Sequence, residues 1–267
     1  LQAQEVSKTV DLTAGNLKTV LAEELSSITD LTITGTIDAR DFKTMRDDMI
    51  VLSELDLSGV PVSAYSGTEG TAWYATYYPE NEISQLAFYS LDTYQGKASL
   101  TSVTLPTSVT SIGNYSFQGC TGLVNFIIPS SVTSIEDGAF MLCSGLTSVT
   151  IPSSVNHIEN WTFQYCGSLI SIIANPSYPV DLASSLDVFN GVDKFFCTLS
   201  VPYGSKELYA AANQWQEFTI IIEPSEGFRL SSSNVSVAAE AGSTATVDIT
   251  ANVEWTANSD HTWLTVN

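Results

Sequence analysis

The sequence repeats itself with a period of 23, and that period constrains the fold more than any other feature. Leu100, Leu123 and Leu146 open three successive units. In phase with them run Val103, Phe126 and Val149, then Leu105, Ile128 and Ile151, each followed by a proline. Further columns hold Val109, Val132 and Val155; Ile112, Ile135 and Ile158; Phe117, Phe140 and Phe163; Cys120, Cys143 and Cys166. Within a unit Leu100, Val103 and Leu105 face one way with Thr101, Ser102 and Thr104 outside, the pattern of a short strand. Pro106 ends it, because proline has no N–H for a ladder. Val109 and Ile112 mark a second extended piece, Gly113 turns the chain, and the stretch holding Phe117 and Cys120 reads as one helical or 3₁₀ turn.

Such a unit cannot stand alone. Its seven apolar columns yield about 1.5–3 kcal/mol each when buried, whereas ordering a backbone residue costs roughly 1–2 kcal/mol. A row of units shares its interfaces and can fold. The expectation is therefore an α/β solenoid of mostly short strands and single helical turns, capped at both ends. A fourth unit starts at Leu169 and Ile172, with its phenylalanine, Phe189, three residues late. A fifth takes Phe196, Leu199, Val201 and Pro202. Upstream, Leu52, Leu55 and Leu57 open a unit whose Ile83 and Phe88 keep the offset of five but follow an insertion of about 19 residues within 59–82. Six more residues are inserted before Leu100. The cap is placed at 1–50, where Leu17, Val20, Leu21 and Leu25 fall at helical spacing after Thr13 as N-cap. The repeats fill about 52–203. A closing helix from Ser205 through Trp215 and a strand at Ile220–Ile222 fill 204–223.

The string L-x-x-V-x-(L/I)-P-x-S-V-x-x-I-x-x-x-x-F-x-x-C, carried by Leu100–Cys120, Leu123–Cys143 and Leu146–Cys166, resembles the BspA-like leucine-rich repeats of bacterial surface proteins. Leu199-Ser-Val201-Pro202-Tyr203-Gly204-Ser205 is similar to that family's closing unit. The resemblance covers about residues 10–223. It implies a leucine-rich-repeat solenoid that is secreted or held at the cell surface, exported and associated with the outer membrane. Its implied work is adhesion to host proteins, other bacteria or mucosal surfaces. After the linker-like Pro224-Ser-Glu-Gly227 the chain alternates in strand fashion through Val235, Val237, Ala245, Val247 and Ile249. The spacing Trp255…Trp263-Leu264 resembles the BACON module, an immunoglobulin-like sandwich attached to carbohydrate-active proteins of gut Bacteroidetes. Two domains are expected: the repeats over 1–226, and a partial all-β sandwich over 227–267. That second resemblance implies the alternative function, a glycan-capture accessory. Leu1-Gln-Ala3-Gln4 reads like the tail of an export signal.

Composition narrows the partners. With 9 Lys plus Arg against 29 Asp plus Glu, the net charge of −20 repels nucleic acids and anionic headgroups. No apolar run reaches the length of a membrane span. Residues 1–99 hold 15 acids and six bases, residues 100–190 five acids and no base. The two histidines, His157 and His261, argue against a histidine triad or a multi-histidine metal site. Asp47-Asp48 and Glu136-Asp137 lack calcium-loop spacing and read as solvated charge. No catalytic motif, metal set or cofactor signature appears, so an enzyme is not expected. Free buried thiols are favoured over a Cys120–Cys143 bridge. Cys197 falls in an outward column, where a reactive thiol and burial under the cap both remain open.

Binding residues are sought in the insertion, which concentrates aromatics: Tyr65, Trp73, Tyr74, Tyr77 and Tyr78. Tyrosine and tryptophan give large contact areas with a polar tip. The competing reading is that they fold back over an open side of the solenoid. Tyr115 and Trp161 share a further column with Gly138 and complete the candidates. The outward ladder face, hydroxyl-rich with Val124, Ile127, Ile170 and Ile173 among the hydroxyls, is a second candidate surface, for which a plain solvated sheet is the preferred reading. The expected partner of this monomer is a host or bacterial surface protein, or a glycan.

Overall fold

The computed structural model describes residues 5–224, together with the backbone of Arg229–Leu230 and Ile249–Thr250. The chain divides into two compact units, Leu1–Ile222 and Glu223–Asn267. In the second, Arg229–Leu230 pairs antiparallel with Ile249–Thr250. The BACON-like spacing at Trp255 and Trp263 lies outside the described residues.

The first unit is a coil wound repeatedly, and each of its sides is a ladder. On one side run β1 (Ser7–Leu12), β2 (Asp30–Gly35), β3 (Glu54–Asp56) and β4 (Ser102–Thr104), a parallel sheet in that order. A second parallel sheet continues with β5 (Asn125–Ile127), β6 (Ser148–Ile151), β7 (Ser171–Ala174), β8 (Thr198–Ser200) and β9 (Ile220–Ile222). Phe126, Val149, Ile172 and Leu199 stand in register and face inward. A second side stacks Glu82–Ile83, Ser111–Ile112, Ser134–Ile135 and His157–Ile158. On the third side, N–H groups of Tyr115, Phe117 and Gly119 donate to the carbonyls of Asp137, Ala139 and Met141, each at 2.8 Å. This matters because a coil buried between two others has no water to satisfy its backbone.

The third side needs an unusual backbone. Leu86, Tyr115, Gly138, Trp161 and Asp187 all take φ between 52° and 58°, one per coil. Four of the five carry a side chain where glycine would be relaxed. Gly138 is glycine for a second reason: a Cβ there would sit 2.4 Å from the Tyr115 ring.

Inside, the phenylalanine column forms a spine. Phe117 stacks on Phe140 with centroids 5.4 Å apart, Phe140 on Phe163 at 5.5 Å and Phe163 on Phe189 at 5.8 Å, all within 4° of parallel. The stack starts with Phe42 edge-on to Phe88 and ends with Trp215 against Phe189. The insertions leave it intact. The six residues inserted before Leu100 are taken up around a hairpin, Tyr89–Ser90 with Gln95–Gly96.

Several expectations change. Residues 7–35, placed within the entry cap, supply two strands of the same ladder. Ile28, Leu31 and Ile33 repeat Leu52, Leu55 and Leu57 at an offset of 24. The helix expected from Thr13 is the short α1 (Leu17–Leu21) after Asn16, passing into a 3₁₀ turn at Ala22–Glu24, and Val20 is exposed. A longer helix, α2 (Ala39–Asp47), replaces the single turn of later coils. Phe196 does not take the buried leucine column. It is 75% exposed, because the chain turns from Asp193 into Cys197, whose N–H donates to the Asp193 carbonyl, and it is Cys197 that turns inward. The closing helix is α3 (Lys206–Ala211), separated from a 3₁₀ turn at Trp215–Glu217.

Candidate functional site

Helix α2 and the 59–82 insertion meet where charge and aromatics concentrate. The helix starts because Asp38 and Asp41 satisfy its free N–H groups: Asp38 accepts from Arg40 N at 2.9 Å and Asp41 from Asp38 N at 2.9 Å. Asp41 also accepts from Gly15 N and Leu17 N, tying α1 to α2. Burial pushes the Asp41 carboxyl upward in spite of these bonds. Phe42 and Met45 face the core, while Arg40, Lys43 and Asp47 line the outer side. Arg46 turns under the helix. Its guanidinium donates to the carbonyls of Thr71 (2.8 Å), Leu86 (2.9 Å) and Tyr89 (3.2 Å), so one side chain anchors the insertion to α2.

The insertion folds around Tyr65–Ser66 paired antiparallel with Tyr77–Tyr78. Of its five candidates, two are structural. Tyr78 is 1% exposed; its hydroxyl accepts from Ala72 N at 2.8 Å and donates to Ala72 O at 3.0 Å. It is the pin of the loop and no part of a contact surface. Tyr65 is half-buried, its ring 6.0 Å from Tyr78 and capped by the Arg40 guanidinium 4.6 Å from its centroid. The other three, Trp73, Tyr74 and Tyr77, are exposed at 77%, 53% and 60%. Trp73 and Tyr74 meet edge to face at 5.5 Å. Tyr115 and Trp161 are half-buried on the third side and fixed by their left-handed backbones; Tyr115 lies within electrostatic reach of Tyr74, so the fold brings it toward the ridge.

The remaining chemistry is structural. Among the described residues all four cysteines are free and buried. Cys143 and Cys166 Sγ donate to the carbonyls of Phe117 and Phe140 one coil back, at 3.0 and 3.1 Å. Burial pushes the thiols of Cys120 and Cys166 up to about 12 and that of Cys197 to about 11, so Cys197 is not a reactive thiol. The acidic pairs are not simply solvated. Asp137 accepts from Asn160 N and Nδ2, and Asp47 and Asp48 pair with Lys43 and Lys18. Among the described residues no three His, Cys, Asp or Glu side chains converge as metal ligands, and no helix is long and apolar enough to cross a membrane.

Sequence reading left out the bases. Lys18, Arg40, Lys43, Arg46 and Lys97, five of nine in the chain, line hollows along α2. Their crowding within 18–97 of so acidic a sequence was the available signal.

The geometry of the coils is matched by a family. Residues 81–181 match the BspA type leucine rich repeat region, in six copies. These coils are BspA-type leucine-rich repeats. Leucine-rich repeats of this kind are generally non-catalytic interaction modules. No curated protein matches the chain. Among solved structures it is similar to a leucine rich repeat protein of T. pallidum, at 29% identity over 45% of this chain and 51% of that one, TM-score 0.34. It is also similar to a leucine-rich repeat protein from Bacteroides ovatus ATCC 8483, at 21% identity over 63% and 37%, TM-score 0.36. A leucine rich cell surface protein from Faecalibacterium prausnitzii A2-165 is 16% identical over 75% and 74%, TM-score 0.27. The chain spans about half of the first of these proteins and little more than a third of the second.

Proposed function

We propose that this BspA-type chain is a non-catalytic adhesion protein at or beyond the bacterial surface, and that its partner is a protein of a host or of another bacterium. The observation that carries this reading is the ridge of Trp73, Tyr74 and Tyr77, held out on an insertion whose buried side is fixed by Tyr78 and Arg46. Large aromatics on a rigid base lose little conformational freedom on contact, which is how interface hot spots work. The exposed Ile127, Ile170 and Ile173 of the outward sheet face add apolar area along the same solenoid. The test is binding of the chain to immobilised matrix and bacterial surface proteins, compared with a Trp73→Ala/Tyr74→Ala/Tyr77→Ala variant. Loss of affinity by about tenfold or more is expected; equal binding removes the ridge as the contact.

A second reading is glycan capture. It is favoured by the position of Trp73, whose exposed side chain lines a small hollow of mixed polar and apolar surface beside α2.

A further inference from the structure

Three hollows lie end to end along α2. The first, about 680 Å³, is lined by Lys18, Arg40, Lys43, Asp48, Thr68 and Glu69 among others. The second, about 90 Å³, shares Lys43 and Thr68 with it and adds Trp73 and Asp92. The third, about 600 Å³, shares Arg46 and Asp92 with the second and continues to Gln95 and Lys97. Shared walls make them one trough, with Trp73 at its middle.

The lining has a definite chemistry. Part of the charge is already matched, Lys43 with Asp47 at 2.6 Å and Lys18 with Asp48 at 3.0 Å, while Glu69 and Asp92 make no ion pair among the described residues. Five bases stand against four acids along it, so in a chain of net charge −20 it suits neither a polyanion, which the whole molecule repels, nor a polycation, for which two of the four acids are already paired. Its walls mix polar and apolar surface in about equal parts, with charged groups at intervals that a lipid tail or an apolar helix would have to desolvate. What remains are donors and acceptors at close intervals, with Thr68, Ser90 and Gln95 between the charges and one large aromatic face. A sugar hydroxyl both donates and accepts, and the C–H face of a pyranose ring packs on an indole, so this combination suits a saccharide. The floor is preformed. Arg46 is 6% exposed and bound to three carbonyls, so little ordering is left for a ligand to impose.

The outward sheet face lacks this potential despite its hydroxyls. Thr101 and Thr147 Oγ1 donate to the carbonyls of Ser53 and Val124, and Ser148 Oγ to Asn125 Oδ1, so the hydrogens of these three are used within the ladder and only their acceptor sites are left.

We propose that the trough along α2 is a binding site for a neutral oligosaccharide, with Trp73 as the stacking platform and Lys43, Thr68 and Asp92 as hydrogen-bonding groups. This rests on the second reading above and gives it a place and a ligand class. The test is calorimetric titration of the full chain with short neutral gluco-, galacto- and manno-oligosaccharides, with sialyllactose and a sulfated lactose as charged arms. Binding of at least one neutral sugar is expected. Trp73→Ala should weaken it about tenfold or more, Thr68→Ala measurably, and Tyr178→Ala, an exposed aromatic outside the trough, not at all. Trp73 is exposed, so its variant should melt like the parent, and the melt is recorded as a control. Binding of the charged arms alone, binding of no sugar, or affinity indifferent to Trp73→Ala would each overturn the assignment. If the triple aromatic variant loses a protein partner while no sugar binds, the trough fails and the protein-adhesion reading stands.

Discussion

Glu82 stands at the start of the second ladder, paired in register with Ser111, its carboxyl close against Gly113. Burial, and secondly the charge of Glu136, push it up to about 7 from 4.5. Between those two values the folded chain holds a proton that the unfolded chain has released. Stability therefore falls as the pH rises through that window and is recovered as it drops back. The melting temperature should be higher near pH 4.5 than above pH 7, and Glu82→Gln should remove most of the difference. Asp41, also raised by burial, leaves a residue of the same sign. Lys97, held down to about 8 by burial, and the buried thiols titrate above the window. A Glu82→Gln variant with the parent's pH profile would refute the assignment. None of this was legible in the sequence, which shows that an acid is present but not what buries it. Asp137 was different. Asn114, Asp137 and Asn160 form a column at the repeat spacing, and the structure uses each to accept an N–H from the next coil. The periodicity was visible there, and only the change of residue type hid it.

For the elements, legibility followed repetition. Columns filled in every coil by one kind of residue, such as Phe117, Phe140 and Phe163, could be assigned because each coil must present the same side chain to its neighbour. Where a coil satisfies that demand differently, the pattern fades. The first coils lack the proline and cysteine columns, and α2 carries Phe42 into the spine from a full helix, so β1 and β2 went unread. The binding candidates were half legible for a related reason. Aromatic enrichment located the insertion, but exposed Tyr77 and buried Tyr78 are adjacent in sequence and are separated only by strand alternation. The spine itself makes a sharp prediction. Phe140 stacks on both neighbours and takes the edge of Phe126 at 4.8 Å. Phe140→Ala should cost about 3–5 kcal/mol, measured by denaturant unfolding. A cost near that of a surface substitution would mean the stack is not what joins the coils.

Over the whole first unit, stability is held between neighbouring coils and not in one centre, so coils can be removed in whole periods, and extra residues are tolerated only where they loop out between the columns. Removing residues 124–146 joins Leu123 to Thr147 and returns every column to phase: Ser102 would face Ser148, Phe117 would face Phe163, and the left-handed positions Tyr115 and Trp161 would meet. Most faces exposed by the cut find an equivalent partner one coil on, with two exceptions that lower stability: Val149 takes the place of Phe126 beside Phe117, and Trp161 meets the Tyr115 ring that Gly138 had cleared. Removing only residues 135–146, about half that length, puts Thr147 into the Ile135 column and Pro152 into the Phe140 column, and no neighbouring coil can then complete its ladder. The first deletion should fold, keep the circular dichroism of the parent in proportion to its length, and melt cooperatively at a somewhat lower temperature. The second should be unfolded or insoluble. If the in-phase deletion also fails to fold, the coils depend on contacts beyond their neighbours, and the additive account of this solenoid is wrong.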